Sequence, residues 1–223
     1  MSAFETLDLK TLTKFNSLPN PLALVKRDPL NGSNEFFMKL MQTSFSVIGR
    51  VCKLSSVEDL TSILNEDIPS QLQADPFYSL WIKDMASVCD IFCEMVGEDS
   101  IGFCLGTERG CRRYHIDNVP LRLLVTYAGQ GTEWLPDVAA DRQAFESGMA
   151  NEFILKDPSA RQFAGLWDVA VFRGGAAGVL HRTPDAASDG PSILMRLDRE
   201  DFWNNVLGQS QGNTALKALN EGT

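Results

Sequence analysis

The chain has 223 residues, of which 44% are hydrophobic and 22% charged, and its formal net charge is −9. This length and composition are sufficient for one compact unit with a sizeable core. A protein with an isoelectric point near 4.7 would repel phosphate groups, which excludes a nucleic-acid binder.

The N-terminus and the cysteines indicate the compartment. Residues 1–5 lack the basic and apolar regions of a secretory signal, and no later run reaches the roughly 20 apolar residues of a membrane span. The five cysteines include no CxxC pair, a pattern typical of reduced thiols that are mostly buried. We therefore expect a cytoplasmic protein that binds no membrane.

Residues 1–98 are predicted to form a helical N-terminal region. The apolar run Leu22–Val25 is either an edge strand or docked coil. From Asn34, apolar residues recur at steps of three and four, which predicts a helix with a buried stripe. The stripe consists of Phe37, Met41, Phe45, Ile48 and Cys52.

Two further helices have recognisable ends. Ser55 and Glu58 have the spacing of a capping box, which predicts the beginning of a short helix. Asp75 and Pro76 predict the N-cap and first residue of a long helix, and Gly97 predicts its end.

Residues 99–199 change to short strand-like runs separated by glycine, at 101–105, 121–127, 134–135, 167–172, 178–181 and 192–197. Short strands at such spacing favour a sandwich or barrel, and we expect two facing antiparallel sheets with the N-terminal helices packed outside. Residues 137–164 interrupt the series as a helical or irregular insertion. Residues 200–223 are predicted to form a last helix, over 201–207, and a frayed tail.

The two histidines of the chain are the most informative residues. His115 is followed by Asp117, and His181 comes 66 positions after His115. On a strand, His115 and Asp117 would point to the same face, because side chains alternate. Two histidines and a carboxylate in this order form the facial triad that holds Fe(II) with open positions. The alternative is that His115 and His181 are unrelated, partly buried residues bonded to backbone groups.

Other residues near these motifs are candidates for the same site. Cys111 lies four positions before His115, so on a continuous strand both side chains would point to the same face. As a fourth ligand Cys111 would favour Zn(II) over Fe(II). Arg182 follows His181 directly and would attract an anionic substrate, although it could equally balance nearby carboxylates. Tyr127 and Trp134 are candidates to line the pocket, or are ordinary core aromatics.

Three stretches resemble the double-stranded β-helix (jelly-roll, cupin-like fold) of the Fe(II)/2-oxoglutarate-dependent oxygenases. They are HIDNVPLRLLVTY from His115, GTEWLP from Gly131 and VFRGGAAGVLHRTP from Val171. The resemblance implies an α+β fold, a metal bound by His115, Asp117 and His181, and 2-oxoglutarate as cosubstrate. The substrate, whether a small molecule or a protein, is not indicated.

A closer resemblance points to an uncharacterised bacterial family, domain of unknown function 1826. It is carried by CRRYHIDNVPLRLLVTYAGQGTEWLP, from Cys111, together with GVLHRTP, from Gly178. Members of that family tend to be encoded near zinc-responsive and metal-chaperone genes. This resemblance therefore implies a second possibility, a non-catalytic zinc-binding protein of metal homeostasis with the same ligands.

The chain departs from the oxygenase pattern at one position. The oxygenases carry a basic residue on the last strand, where it pairs with the far carboxylate of 2-oxoglutarate, but this chain has Ser192 there. Arg196 lies on the same strand face by parity, and Arg122 lies on the strand after the first motif. These two arginines are the predicted anion-binding residues.

Overall fold

The computed structural model describes residues 2–201 of the chain. Of the helix predicted over 201–207, only residue 201 lies among the described residues. The rest of that range and the predicted tail lie outside them.

The described residues form ten strands and seven α-helices. The strands are β1 (Phe4–Thr6), β2 (Leu22–Val25), β3 (Ser46–Cys52), β4 (Ser100–Gly106), β5 (Leu121–Ala128), β6 (Glu133–Leu135), β7 (Gln162–Phe163), β8 (Val169–Arg173), β9 (Leu180–Arg182) and β10 (Ile193–Arg199). The helices are α1 (Ser33–Leu40), α2 (Ser56–Leu64), α3 (Ser70–Gln73), α4 (Pro76–Val96), α5 (Arg142–Glu146), α6 (Asn151–Ile154) and α7 (Asp185–Asp189). Short 3-10 helices occupy Leu9–Ser17, Asp137–Ala139, Pro158–Ala160 and Gly175–Ala177.

The strands form one large and one small sheet. The large sheet has seven strands in the order β1-β2-β8-β5-β10-β4-β3, and the small sheet has three in the order β7-β6-β9. The pairs are antiparallel except β1 with β2, which makes the large sheet mixed. The predicted α+β class is confirmed, although three of the seven strands come from the N-terminal region that was predicted to be helical.

Strand β5 shows how the large sheet separates two cores. Leu123 and Val125 belong to the main core, which also contains the buried side chains of α1, α2 and α4. Leu124 belongs to a second core, which it shares with Trp134 of the small sheet. Side chains alternate along a strand, so one face of the large sheet contacts the helices and the other faces the small sheet.

Helix α4 has both of its predicted ends. The Asp75 side chain accepts a hydrogen bond from the backbone N–H of Phe77, and Gly97 ends the helix with a φ of +70°. A left-handed conformation of this kind favours glycine. The large aromatic Trp81 is fully buried between α4 and its neighbours.

The predicted helical stripe over 34–52 is wrong in its second half. The chain leaves α1 after Leu40 and continues as β3, in which Val47 and Val51 are buried while Ile48 is 48% exposed. Steps of three and four from Phe37 coincide with strand positions by chance, and pairing with β4 gives this segment the two-residue period of a strand. Likewise, Leu22–Val25 is neither coil nor an edge strand, because it lies between β1 and β8.

The capping box predicted at Ser55 is also wrong, although the helix itself begins there. Ser55 makes no side-chain cap, and its hydroxyl instead donates to Asp59 at 3.0 Å. The same carboxylate accepts the N–H of Cys52 at 2.8 Å and so holds the turn that leads into α2.

The insertion over 137–164 contains α5, α6 and two 3-10 turns. Asn151 ties it to the first histidine motif, since its side chain accepts from the N–H of Tyr114 and donates to the carbonyl of Arg112. Among residues 2–201, no helix is both long and apolar enough to cross a membrane.

Candidate metal centre

The two histidines face each other across a single antiparallel bridge. The N–H of His115 donates to the carbonyl of His181 at 3.0 Å, and the reverse bond has the same length. Directly paired residues project their side chains to the same side of a sheet. The imidazole rings accordingly lie with their centroids 4.4 Å apart.

Backbone carbonyls determine the tautomer of both rings. The Nδ1 of His115 lies 3.0 Å from the carbonyl oxygen of Arg113, and the Nδ1 of His181 lies 3.1 Å from that of Val179. A carbonyl only accepts, so each neutral ring must carry its proton on Nδ1. Each Nε2 is then left with a lone pair, as a metal ligand requires, and a backbone contact of this kind is the usual orienting partner of such a histidine.

Asp117 completes the cluster from a fully buried position. Its Oδ1 accepts from the guanidinium of Arg122, whereas its Oδ2 has no hydrogen-bond partner within the described part of the chain and lies 3.3 Å from the Nε2 of His181. One ligand atom from each of His115, Asp117 and His181 lies within 4.8 Å of the other two. The predicted convergence of these three residues is therefore present.

The surroundings favour the protonation states in which these side chains bind a metal ion. Burial raises the pKa of Asp117, but the contact with His181 and the charge of Arg122 lower it below its usual value of 3.8. Burial and the neighbouring His181 lower the pKa of His115 below 6.5. Near neutral pH the cluster therefore presents a carboxylate and a neutral His115, the forms that bind a metal ion.

Two glycines hold the backbone of Asp117. The N–H of Gly175 donates to the carbonyl of Asp117 at 2.9 Å, and the N–H of Gly174 donates to that of Pro120 at 3.1 Å. A side chain at Gly174 would collide with the carbonyls of Asp117 and Val119. This contact explains the glycine at 174, and the positive φ of +68° explains the glycine at 175.

Both predicted anion-binding arginines lie beside the cluster, in ion pairs. Arg122 bonds Asp117 and, through Nε at 2.8 Å, the fully buried Asp198. Arg196 places its Nε 2.8 Å from the other oxygen of Asp198, although the angle is poor for a hydrogen bond. Burial raises the pKa of Asp198, and the two guanidiniums oppose that rise. Asp198 was missed in the sequence, but its signal was present, because it follows Arg196 by two positions on the same strand face.

Arg182 and Trp134 lie next to His181. Arg182 forms an ion pair with the buried Glu133 at 3.0 Å and contacts the face of Tyr114. Trp134 is paired with His181 across β6 and β9, and its ring packs in the core between the sheets.

Tyr127 and Cys111 do not join the cluster. Tyr127 lies in the main core on the helix side of the large sheet, where its hydroxyl donates to Asp84 at 2.8 Å. Five positions separate it from Arg122, and an odd separation places two strand residues on opposite faces. Cys111 is exposed, with a φ of +59°, so the chain is not extended between it and His115, and the cluster formed by residues 2–201 contains no thiolate.

A cavity of about 180 Å³ opens onto the two histidines. The arginines that line it are Arg109, Arg122, Arg182 and Arg196. Arg109 was missed in the sequence because it lies in a loop, where neither parity nor a motif identifies it. Its hydrogen bonds run to the carbonyl of Gln130 and the hydroxyl of Thr132.

The residues fit a single metal ion. Two free imidazole nitrogens and one uncommitted carboxylate oxygen converge, and this donor set suits a first-row transition metal. Fold and site together define an α+β protein with a candidate mononuclear metal centre formed by two histidines and one aspartate. The chain belongs to the family described as "Protein of unknown function (DUF1826)", whose model matches residues 7–198.

None of the curated proteins matches this chain. Among solved structures, the Fe(II)/(alpha)ketoglutarate-dependent dioxygenase TqaL is 11% identical with a TM-score of 0.45, and the match covers 86% of each chain. AtDAO1, the dioxygenase for auxin oxidation 1 from Arabidopsis thaliana, is 11% identical with a TM-score of 0.38, over 88% of this chain and 92% of that one. HygX from Streptomyces hygroscopicus, solved with iron bound, is 11% identical with a TM-score of 0.40, over 86% of each chain. Identities this low carry no information on substrate or reaction.

Proposed function

We propose that this protein is a mononuclear non-haem Fe(II) oxygenase that uses 2-oxoglutarate as cosubstrate. The observation that carries the proposal is the buried, uncommitted Oδ2 of Asp117 beside two imidazole Nε2 atoms. The described residues supply three ligands and no fourth, which leaves coordination positions for other molecules. We also propose that the fold is a double-stranded β-helix. The triad lies between its two sheets, because His181 lies on β9 of the small sheet and Asp117 bonds Arg122 on β5 of the large sheet.

The side chains have distinct roles in this proposal. His115, Asp117 and His181 would hold the ion through Nε2, Oδ2 and Nε2. Arg122 would keep the Asp117 carboxylate ionised and oriented, because it bonds the oxygen that faces away from the ligand atoms. When bound, Fe(II) would supply the dioxygen chemistry that no side chain offers.

The overall reaction would consume one 2-oxoglutarate and one dioxygen for each substrate. One oxygen atom enters the substrate as a hydroxyl group, and the other enters the succinate that forms with carbon dioxide. An open cavity of about 600 Å³ on the Asp117 side, lined in part by Asn118, Arg142 and Phe145, would receive the substrate. Cavities of roughly 300–1,000 Å³ are typical of small-molecule sites.

One observation favours the second candidate, a zinc-binding protein of metal homeostasis. Arg122 and Arg196, the residues predicted to hold the far carboxylate of 2-oxoglutarate, are both paired with Asp198. If no other residue bound that carboxylate, the centre would be a metal site without a cosubstrate. A closed tetrahedral zinc site would still need a fourth ligand, which Cys111 does not supply in this structure.

Metal analysis and turnover separate the two candidates. Protein purified without added metal would be analysed for iron and zinc, and then assayed for succinate release from 2-oxoglutarate with Fe(II) and oxygen. We expect about one ion per chain and Fe(II)-dependent succinate. Asp117→Asn should abolish both, while the control Asp185→Asn, at a position that is 68% exposed, should retain both.

The opposite outcomes are equally clear. Zinc retained through purification, without 2-oxoglutarate binding or succinate release, would replace the oxygenase with the zinc-binding protein. Wild-type protein that binds neither metal would refute a metal function for the cluster.

A further inference from the structure

Arg109 is the most unusual charged residue of the cavity. Its guanidinium donates to a carbonyl oxygen, of Gln130 at 3.2 Å, and to a hydroxyl, of Thr132 at 3.4 Å. Its Nε is buried and has no hydrogen-bond partner among residues 2–201. Burial lowers the pKa of Arg109 to about 10, and no carboxylate of residues 2–201 opposes that shift.

The other three arginines of the cavity are different. Arg122 is paired with Asp117 and Asp198, Arg196 with Asp198, and Arg182 with Glu133. Three of the four guanidiniums are thus paired with buried carboxylates, and Arg182 also with the exposed Asp185, whereas Arg109 has no carboxylate partner among residues 2–201. Glu108 also lines the cavity, but it is exposed and forms no ion pair with Arg109 within the described chain.

A buried charge without a counter-ion is costly, and the cost is removed if a ligand supplies the opposite charge. A bound metal ion would add two further positive charges to the same cavity, so an anion is the favoured occupant. Guanidinium binds a carboxylate through two parallel hydrogen bonds. The hydroxyl of Thr132 accepts from Arg109 and retains its own hydrogen, which it can donate to the same anion.

We propose that Arg109, assisted by the Thr132 hydroxyl, binds the far carboxylate of a dicarboxylate ligand whose other end reaches the His115–Asp117–His181 cluster. The anchor is then in the loop that follows β4, and not on the last strand, β10, before which Ser192 lies. This inference rests on the proposed function, in which the cosubstrate is the five-carbon diacid 2-oxoglutarate. It also accounts for the pairing of Arg122 and Arg196 with Asp198, the observation that favoured a zinc site without a cosubstrate, because neither arginine is then needed to bind the far carboxylate.

Calorimetry with two matched ligands tests the assignment. One is 2-oxoglutarate, and the other is 2-oxopentanoate, which has the same carbon chain but a methyl group in place of the far carboxylate. Both would be titrated into Fe(II)-loaded protein without oxygen. The variants are Arg109→Met, which keeps the length of the stem, Arg109→Lys, and the control Arg112→Ala, which removes an exposed arginine three positions away.

Charge-assisted hydrogen bonds at such a site correspond to about a 10- to 100-fold difference in affinity. The wild type should bind 2-oxoglutarate tighter than 2-oxopentanoate by that factor. Arg109→Met should lose the preference and leave 2-oxopentanoate binding unchanged, Arg109→Lys should keep part of it, and Arg112→Ala all of it. Thermal melting without ligand would show that each variant folds.

The outcomes distinguish this inference from the proposed function. If Arg109→Met retains the full preference for 2-oxoglutarate, Arg109 is not the anchor, while the oxygenase stands. If the wild type binds neither 2-oxo acid but binds succinate in an Arg109-dependent manner, the anion site stands and the oxygenase falls. Wild-type protein that binds none of these three anions would overturn the inference.

Discussion

The contact between Gly174 and the first motif makes a quantitative prediction. A Cβ at Gly174 would lie 2.4 Å from the carbonyl oxygen of Asp117 and 2.0 Å from that of Val119. Ordinary contact of a Cβ with a neighbouring atom begins at 3.4 Å. In Gly174→Ala the backbone of Asp117 would therefore have to shift by about 1 Å, the difference between 3.4 and 2.4 Å.

Such a shift exceeds what a metal site tolerates, since ligand distances are held within about 0.2 Å. We expect Gly174→Ala to weaken metal binding by about 10- to 100-fold. The added methyl group should also lower the free energy of unfolding by about 1–3 kcal/mol through overpacking.

The assay is a metal titration against a competing chelator, combined with thermal melting. Gly110→Ala is the matched control, because a Cβ at Gly110 meets no atom within 4 Å. Gly110→Ala should bind metal as the wild type does. If Gly174→Ala also binds metal with wild-type affinity while its melting temperature falls, the loop relaxes without moving Asp117, and the positional reasoning is refuted.

The remaining predictions concern stability and pH. Tyr127→Phe should lower the free energy of unfolding by about 1 kcal/mol, because the hydrogen bond to Asp84 is lost, and should leave the affinities for metal and 2-oxoglutarate unchanged. A change in either affinity would indicate that Tyr127 belongs to the binding site. Asp198→Ala should cost about 3–5 kcal/mol in urea unfolding, because it removes the carboxylate that Arg122 and Arg196 share; a cost below about 1 kcal/mol would contradict this. Because the pKa of His115 is lowered below 6.5 in the folded state, the unfolded chain binds more protons just below that pH, and the melting temperature of metal-free protein should fall as the pH drops through that range. Metal-loaded protein should show a steeper fall, since the ion binds neutral imidazole, and equal slopes would indicate that the ion does not use His115.

The sequence predicted those parts of the molecule that depend on local chemistry. The N-cap at Asp75, the proline after it and the stop at Gly97 define α4 through their own backbone preferences. The stripe over 34–52 misled because Phe45 and Ile48 fit helical steps from Phe37, whereas pairing with β4, about 50 residues away in the chain, imposes a strand. No local pattern contains that pairing.

The site was predictable to the extent that parity applied. Parity with Ser192 selected Arg196, and position on the strand after the first motif selected Arg122; parity counted from Arg122 places Tyr127 on the other face. It does not apply to the first motif in the expected way, since His115 forms only an isolated bridge and the strand that follows begins at Leu121. The convergence of His115 with His181 comes from their mutual backbone bonds, which join residues 66 positions apart and leave no local signal.

Asp198 shows that strand position alone does not identify an anion-binding arginine. Arg196 lies on the strand that carries the basic residue in the oxygenases, so strand position alone favours it. A guanidinium, however, is free to bind a ligand only to the extent that the protein does not already neutralise it, and Asp198 lies within ion-pair distance of both Arg122 and Arg196 from a fully buried position. The relevant property is therefore the charge balance of the cavity, which appears only when loop, strand and sheet are assembled. That balance leaves the positive charge of Arg109 without a carboxylate partner among residues 2–201, and it is the reason why we propose this loop residue, and not Arg196 of β10, as the anion-binding residue.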